Sequence, residues 1–131
     1  LSPCPNLAGE WSTNDNSLVV QIAYGARRVL LTGDAEHEAE AELVAAHGDD
    51  LAADVLKVGH HGSRSSSSEA FVARVRPTVA LTSCGARNTF GHPHREATAR
   101  LAGALMLRTD LGGELRVTTD GARAWLSLPA R

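Results

Sequence analysis

Two overlapping stretches of this chain, residues 28–59 and 53–83, each read strand, helix, strand, and that order narrows the possible folds more than any other feature. Val29-Leu30-Leu31 and Val55-Leu56-Lys57-Val58 are apolar runs, and residues 35–47 between them are rich in Ala and Glu. A helix that returns one strand to a parallel neighbour makes a right-handed crossover, with both strands pointing the same way. A strand over residues 78–83 extends the series through a helix over residues 70–75. Ser66 and Glu69 form a capping box for that helix, and Pro77 ends it. Three strand ends therefore share one edge of an α/β sheet, the edge at which open α/β folds bind ligands.

The flanking segments fit the same sheet. Residues 1–13 read as an irregular lead-in, Asn14-Asp15-Asn16 as a turn, and residues 17–23 as a strand forming a hairpin with residues 28–32. Pro93 suits the first turn of a helix over residues 95–103. A strand over residues 105–109 follows, and the chain closes on a hairpin around Asp120-Gly121. With 131 residues the chain fits one domain.

Charge and apolar patterning exclude several classes of function. The net charge of -2 disfavours a protein that grips nucleic acid chiefly through a basic field. No apolar run approaches the roughly 20 residues of a membrane helix, and no signal-peptide pattern opens the chain. Cys4 and Cys84 do not read as a disulfide framework.

Chemistry-bearing residues collect at the shared edge. Asp34 ends the strand at 28–32 and suits either the N-cap of the next helix or a metal ligand or general base. Gly59-His60-His61-Gly62-Ser63 ends the next strand. In an extended backbone successive side chains point apart, so one of the two histidines would ligate a metal and the other contact the substrate or support the ligand. The third strand runs into a loop holding His92 and His94 around Pro93, where a neutral imidazole can polarise substrate or transfer a proton. His37 and His47 read as solvated, and Cys84 as a small buried residue. No Gly-rich phosphate loop or serine-nucleophile elbow is present.

Thr32-Gly33-Asp34, residues 54–63 with the His pair, Asn88-Thr89-Phe90-Gly91-His92-Pro93-His94 and Arg108-Thr109-Asp110 together resemble the metallo-β-lactamase-type domain of ComEC-type DNA-uptake proteins. The match runs from about Asn14 to Asp120. The resemblance implies an α/β fold of the αββα sandwich type, two sheets with helices outside, with one or two divalent metals at the sheet edge. Members hydrolyse esters, amides or phosphodiesters with metal-activated water. Asp34 matches the family's metal-bridging aspartate, and the histidine of the next strand end, assigned to His60 with His61 left open, matches its last ligand. His61 and His92 then stand as the catalytic or substrate-facing histidines.

One departure from the family pattern shapes the expectation. Members carry a His-x-His-x-Asp-His ligand cluster in the first half of the domain, and this chain has none. Opening on Leu1 rather than Met, residues 1–131 fit a single fragment, the carboxyl-terminal half of the domain, with a mixed sheet and helices on one face. The expected function is half of a metal-dependent hydrolase, a nuclease acting on DNA during uptake, with zinc or manganese bound in the intact domain and weakly or not at all in this segment. The alternatives are a catalytically inactive binding module of the uptake machinery or a free-standing hydrolase of the superfamily. Expected partners are DNA, the remaining half of the domain and the membrane channel of the parent. Its compartment would be extracytoplasmic, as a soluble domain of a bacterial inner-membrane protein, or cytoplasmic if free-standing. An uncovered sheet face would also promote self-association.

Overall fold

The computed structural model describes residues 12–127. Five strands, β1 (Val20–Tyr24), β2 (Arg27–Leu31), β3 (Val55–Lys57), β4 (Val79–Thr82) and β5 (Leu105–Arg108), form one sheet in chain order. β1 and β2 make the expected antiparallel hairpin, and β2 through β5 run parallel. Helices α1 (His37–His47), α2 (Glu69–Val75) and α3 (Arg95–Arg100) occupy the connections between the parallel strands. A short helix, α4 (Thr109–Gly112), follows β5, and β6 (Arg116–Thr119) pairs with β7 (Ala124–Ser127) as a separate hairpin. The lead-in of residues 1–11 and the last residues, 128–131, lie outside the described part. The mixed sheet with helices on one face agrees with the expected α/β fold.

The core lies between the helices and one face of the sheet. Leu30, Leu56 and Ala80 occupy matching positions on neighbouring strands and pack with Ala39 and Leu43 of α1, Phe71 and Val75 of α2, and Leu101. Fully burying a side chain such as Leu43 or Phe71 contributes about 1.5–3 kcal/mol relative to leaving it exposed. Side chains alternate along each strand, so Ile22, Tyr24, Leu31 and Leu105 share the opposite face. That face carries no helix from the parallel crossovers, and these four side chains are exposed on it.

Two caps differ from expectation, and both differences bear on the site. Helix α1 starts at His37 with Glu36 as its N-cap residue, and Asp34 does not cap it. Asp15, buried in the turn before β1, instead accepts hydrogen bonds from the backbone N–H groups of Glu36 (3.0 Å) and Ala39 (3.1 Å). The cap comes from a residue distant in sequence and leaves the Asp34 carboxylate free for other work. Helix α2 is capped by Ser68, whose Oγ accepts from Phe71 N–H, and Ser66 is buried beneath the loop. Pro93 precedes the N-cap of α3, His94, and so stands ahead of the first turn rather than in it.

Candidate functional site

The turn after β2 is tied to the end of β3. Thr32 Oγ1 donates to the carbonyl of Lys57 (2.9 Å), and Lys57 Nζ donates to the carbonyl of Gly33 (2.7 Å) while lying 3.8 Å from Asp34 Oδ1. Gly33 has φ +55°, and a Cβ there would meet Ser17 Cβ at 2.9 Å, so the turn needs glycine. Ser17 Oγ accepts from Asp34 N–H (3.0 Å) and fixes the residue from the other side. Burial lowers the pKa of Lys57, and the Asp34 carboxylate partly opposes that shift. The Asp34 side chain remains about two-fifths exposed and faces the site.

The histidine pair departs from the extended geometry assumed from the sequence. β3 ends at Lys57, and His60 (φ 42°) and His61 (φ 53°) both adopt left-handed backbone. Both rings therefore turn toward one region, with centroids 6.5 Å apart. The His92 ring joins them, 5.5 Å from His60 and stacked at 6.4 Å from His61, and His94 lies 4.9 Å beyond His92. Asp34, His60, His61 and His92, drawn from three strand ends, thus meet as the sequence analysis expected, with His94 beside them.

Hydrogen bonding distinguishes the roles open to these rings. His61 Nδ1 donates to the carbonyl of Ser83 (2.6 Å), which leaves Nε2 as the free nitrogen of the neutral ring, 3.5 Å from Asp34 Oδ1. His60 Nδ1 faces Glu36 Oε1 at 2.9 Å, so its proton points at a carboxylate and its Nε2 is also free. His94 has the opposite tautomer when neutral: its Nδ1 accepts from Arg64 N–H (3.1 Å), so Nε2 carries the proton. Burial and then the neighbouring His94, His60 and His61 hold the pKa of His92 below the ordinary histidine value, with Asp34 opposing. The unprotonated form of His92 is therefore favoured.

Two glutamates hold the loop behind the histidines. Burial alone would raise the pKa of Glu36, but hydrogen bonds from Ser65 and then His60 keep it below the ordinary value. Glu40, one turn along and 1% exposed, accepts from the backbone N–H groups of Ser67 and Ser68. Its desolvation raises its pKa against those hydrogen bonds. Arg100 Nη2 donates to the carbonyls of Arg64 (2.8 Å) and Ser66 (2.9 Å) from α3. Gly62, at φ +84°, lets the chain carrying Pro93 approach so closely that a Cβ would sit 2.5 Å from Pro93 Cβ.

Asp15, Glu36, Glu40, Lys57 and Arg100 were not singled out from the sequence. One signal was available for Glu40. Ala39 and Leu43 mark the buried stripe of α1, and Glu40, three residues before Leu43, lies on the same face. Of the residues given bland readings, His37 is exposed, in line with the expectation, whereas Cys84 is only half-buried at the end of β4.

The loop after β4 completes the site. Thr109 Oγ1 accepts from Cys84 N–H and donates to Cys84 O, both at 2.8 Å, anchoring the loop's start. Asn88 closes it: its amide donates to the carbonyls of Gly85 and His92, and its Oδ1 accepts from His92 N–H, each at 2.8 Å. A cavity of about 300 Å³ opens between this loop and His61.

With this geometry in hand, comparison with known proteins resolves the family. The profile described as "Metallo-beta-lactamase superfamily" matches residues 3–86. The chain belongs to the metallo-beta-lactamase superfamily. It is 39% identical over 107 residues to ComE operon protein 3 of Bacillus subtilis, covering 80% of this chain and 14% of that protein. It is also 39% identical over 105 residues to competence protein ComA of Neisseria gonorrhoeae, covering 79% of this chain and 15% of that protein. Recombination protein 2 of Haemophilus influenzae is 40% identical over 106 residues, with 79% of this chain and 13% of that protein covered. These matches bear out the resemblance to ComEC-type competence proteins, and the chain spans about one-seventh of the length of the curated relatives it matches.

For a member of the metallo-beta-lactamase superfamily, the donors can be tested against a divalent cation. Asp34 Oδ1 and His61 Nε2 lie 3.5 Å apart, close enough to share one ion, and His61 already donates its other ring proton to a carbonyl, as ligating histidines do. As a pair they fit. Among the described residues no group of three or more His, Cys, Asp or Glu side chains is arranged to hold a metal. Nor is any helix of the described residues long and apolar enough to cross a membrane.

Proposed function

We propose that this chain supplies the carboxyl-terminal half of a metal-dependent phosphodiesterase site that cleaves DNA during its uptake. The observation carrying this reading is the Asp34–His61 pair, whose donor atoms face each other at 3.5 Å with the ring locked on the Ser83 carbonyl. Asp34 and His61 would hold the cation, zinc or manganese, and His60 supports the opposite wall through Glu36. The resemblance placed the ligand at His60 and left His61 open. His61 is preferred because its free nitrogen faces Asp34. When bound, such a cation supplies Lewis acidity to the scissile phosphate and the attacking water. The remaining ligands would come from the other half of the domain. The name of one relative, a competence protein, supports a role in competence, and the resemblance to ComEC-type proteins implies DNA as substrate, a membrane channel as the neighbouring part of the parent and an extracytoplasmic place for this domain.

The chain's own residues account for the handling of protons. Neutral His92 accepts a proton at its free ring nitrogen, and the Nε2 proton of His94 is available to a phosphate oxygen. Hydrolysis forms one P–O bond to water and breaks one to the departing strand end, which leaves as an alcohol after gaining a proton.

The test uses this chain joined to the domain half proposed to precede it, supplied with manganese or zinc. Asp34→Ala should lower DNA hydrolysis by more than about a hundredfold, the upper end of what even supporting partners of a metal contribute. Full activity in that variant would overturn the assignment. A second reading, a binding module without catalysis, is favoured by the lack of a three-donor group among the described residues. Elemental analysis of the joined protein separates the two, since an enzyme would hold near-stoichiometric metal.

A further inference from the structure

Phe90 stands out among the exposed apolar side chains because of its position. It is 74% exposed at the tip of the loop after β4, yet one face of its ring stacks on His92, at a centroid distance of 5.7 Å and an interplanar angle of 23°. An aromatic ring that packs on a site histidine with one face leaves its other face open to solvent. The loop does not leave this ring to wander, because the three hydrogen bonds of Asn88 fasten the backbone on both sides of it. The cavity of about 300 Å³ lies alongside, lined by His61, Ser83, Asn88, Phe90 and His92 among others. Its volume is at the lower end for small-molecule sites and suits one nucleoside rather than a longer piece of polymer.

The polar groups around the cavity are mostly committed. The Asn88 amide is saturated by Gly85 and His92, and the Ser83 carbonyl is taken by His61. Few groups remain that could read the hydrogen-bonding edge of a base. What the cavity does offer is a π-face, which every base can use and which requires the base to be out of a duplex stack. Exposed Arg87 on the same loop supplies a positive charge for the backbone of such a strand.

The geometry points to Phe90 as a stacking platform for one nucleobase beside the phosphate under attack, which makes the site selective for single-stranded nucleic acid without preference for sequence. This inference rests on the proposed phosphodiesterase reading for its placement of the phosphate, and it adds the substrate form and the residue that selects it. It gives a function to Asn88 and Phe90 of the Asn88–His94 motif, which the proposed mechanism leaves unused.

A chemical double-mutant cycle tests it on the joined domain, using oligothymidylate four nucleotides long and the same backbone with every base replaced by an abasic residue. Wild-type protein should prefer the base-bearing strand by about tenfold in KM, the scale of one base–aromatic stack. Phe90→Ala should bring that ratio close to one, and Phe90→Trp should keep it. Binding supplies a readout independent of hydrolysis. The indole introduced by Phe90→Trp should be quenched by the base-bearing strand, and not by the abasic one, beyond any change in the wild type. If hydrolysis of both strands is absent while the quench persists, the phosphodiesterase reading fails and the stacking site stands. An unchanged base preference in Phe90→Ala, or no base-dependent quench in Phe90→Trp, overturns the stacking site.

Discussion

The loops that follow β3 and β4 meet at the same site but are built on opposite principles. The first, residues 58–68, is held from outside by Glu36 and Glu40 of the α1 region and Arg100 of α3, and much of it is buried. The second, residues 83–94, is tied at its two ends to the first loop and to Thr109, but between those ends it is closed from within by Asn88 and presents Phe90 to solvent. A loop fixed by several separate elements keeps donor atoms at constant spacing, as ligands to a cation require. The stretch from Gly85 to His92 keeps its shape through Asn88 alone, which leaves Phe90 at the surface, where a flexible polymer can reach it. The difference assigns fixed chemistry to one wall and substrate contact to the other.

Substitutions in the two loops should break or sharpen that contrast. The largest effect on stability is expected for Glu40→Ala, which strips one buried and one half-buried backbone N–H group of their acceptor; urea denaturation should show a loss of about 3 kcal/mol. The same residue predicts a pH dependence. Burial raises the Glu40 pKa above its ordinary value of 4.5, so the folded state holds that proton more tightly than the unfolded chain does. Its contribution to stability is therefore greatest below pH 4.5 and declines as pH rises through the raised value. Glu40→Gln should flatten this portion of the stability–pH curve.

A smaller loss, about 2 kcal/mol, is expected for Gly62→Ala, where a left-handed backbone and the 2.5 Å approach to Pro93 act together. Gly48→Ala isolates the backbone term. Gly48 also has positive φ (51°) but has nothing within 4 Å, so it should lose only about 1 kcal/mol in the same denaturation experiment. If both variants lose equally, the packing of the first loop against Pro93 is looser than described. The smallest change belongs to the self-closed loop: Asn88→Ala should cost about 1 kcal/mol in thermal or urea unfolding while weakening the base preference assigned to Phe90. A loss as large as that for Glu40→Ala would mean that the second loop is structural in the same sense as the first.

The sequence made the scaffold legible because the signals were local. Apolar runs separated by an Ala- and Glu-rich segment fixed the order of β2, α1 and β3, and parallel strands then brought Asp34, His60 and His92 to one edge. Signals that depend on distant partners were not readable. Asp15 caps a helix that starts more than twenty residues later, and nothing near either segment marks the pairing. Glu36 and Glu40 look like solvated residues of a good helix former until the serine loop folds over them. The His60–His61 pair was read as extended because it follows a strand, whereas the glycines on either side accompany a left-handed turn that aims both rings inward. The choice of Ser68 over Ser66 as cap was likewise decided by which serine the loop buries.

The carboxylate of Asp15 has a consequence beyond fastening α1. The start of a helix carries a partial positive charge, and here it is already matched by an internal anion. An approaching polyanion therefore gains little attraction from that quarter. Exposed Arg64, whose N–H donates to His94, exposed Arg95, next to His94 in sequence, and exposed Arg87 of the second loop carry positive charge. Under the proposed function, long-range attraction for a strand would come from these arginines rather than from the helix start.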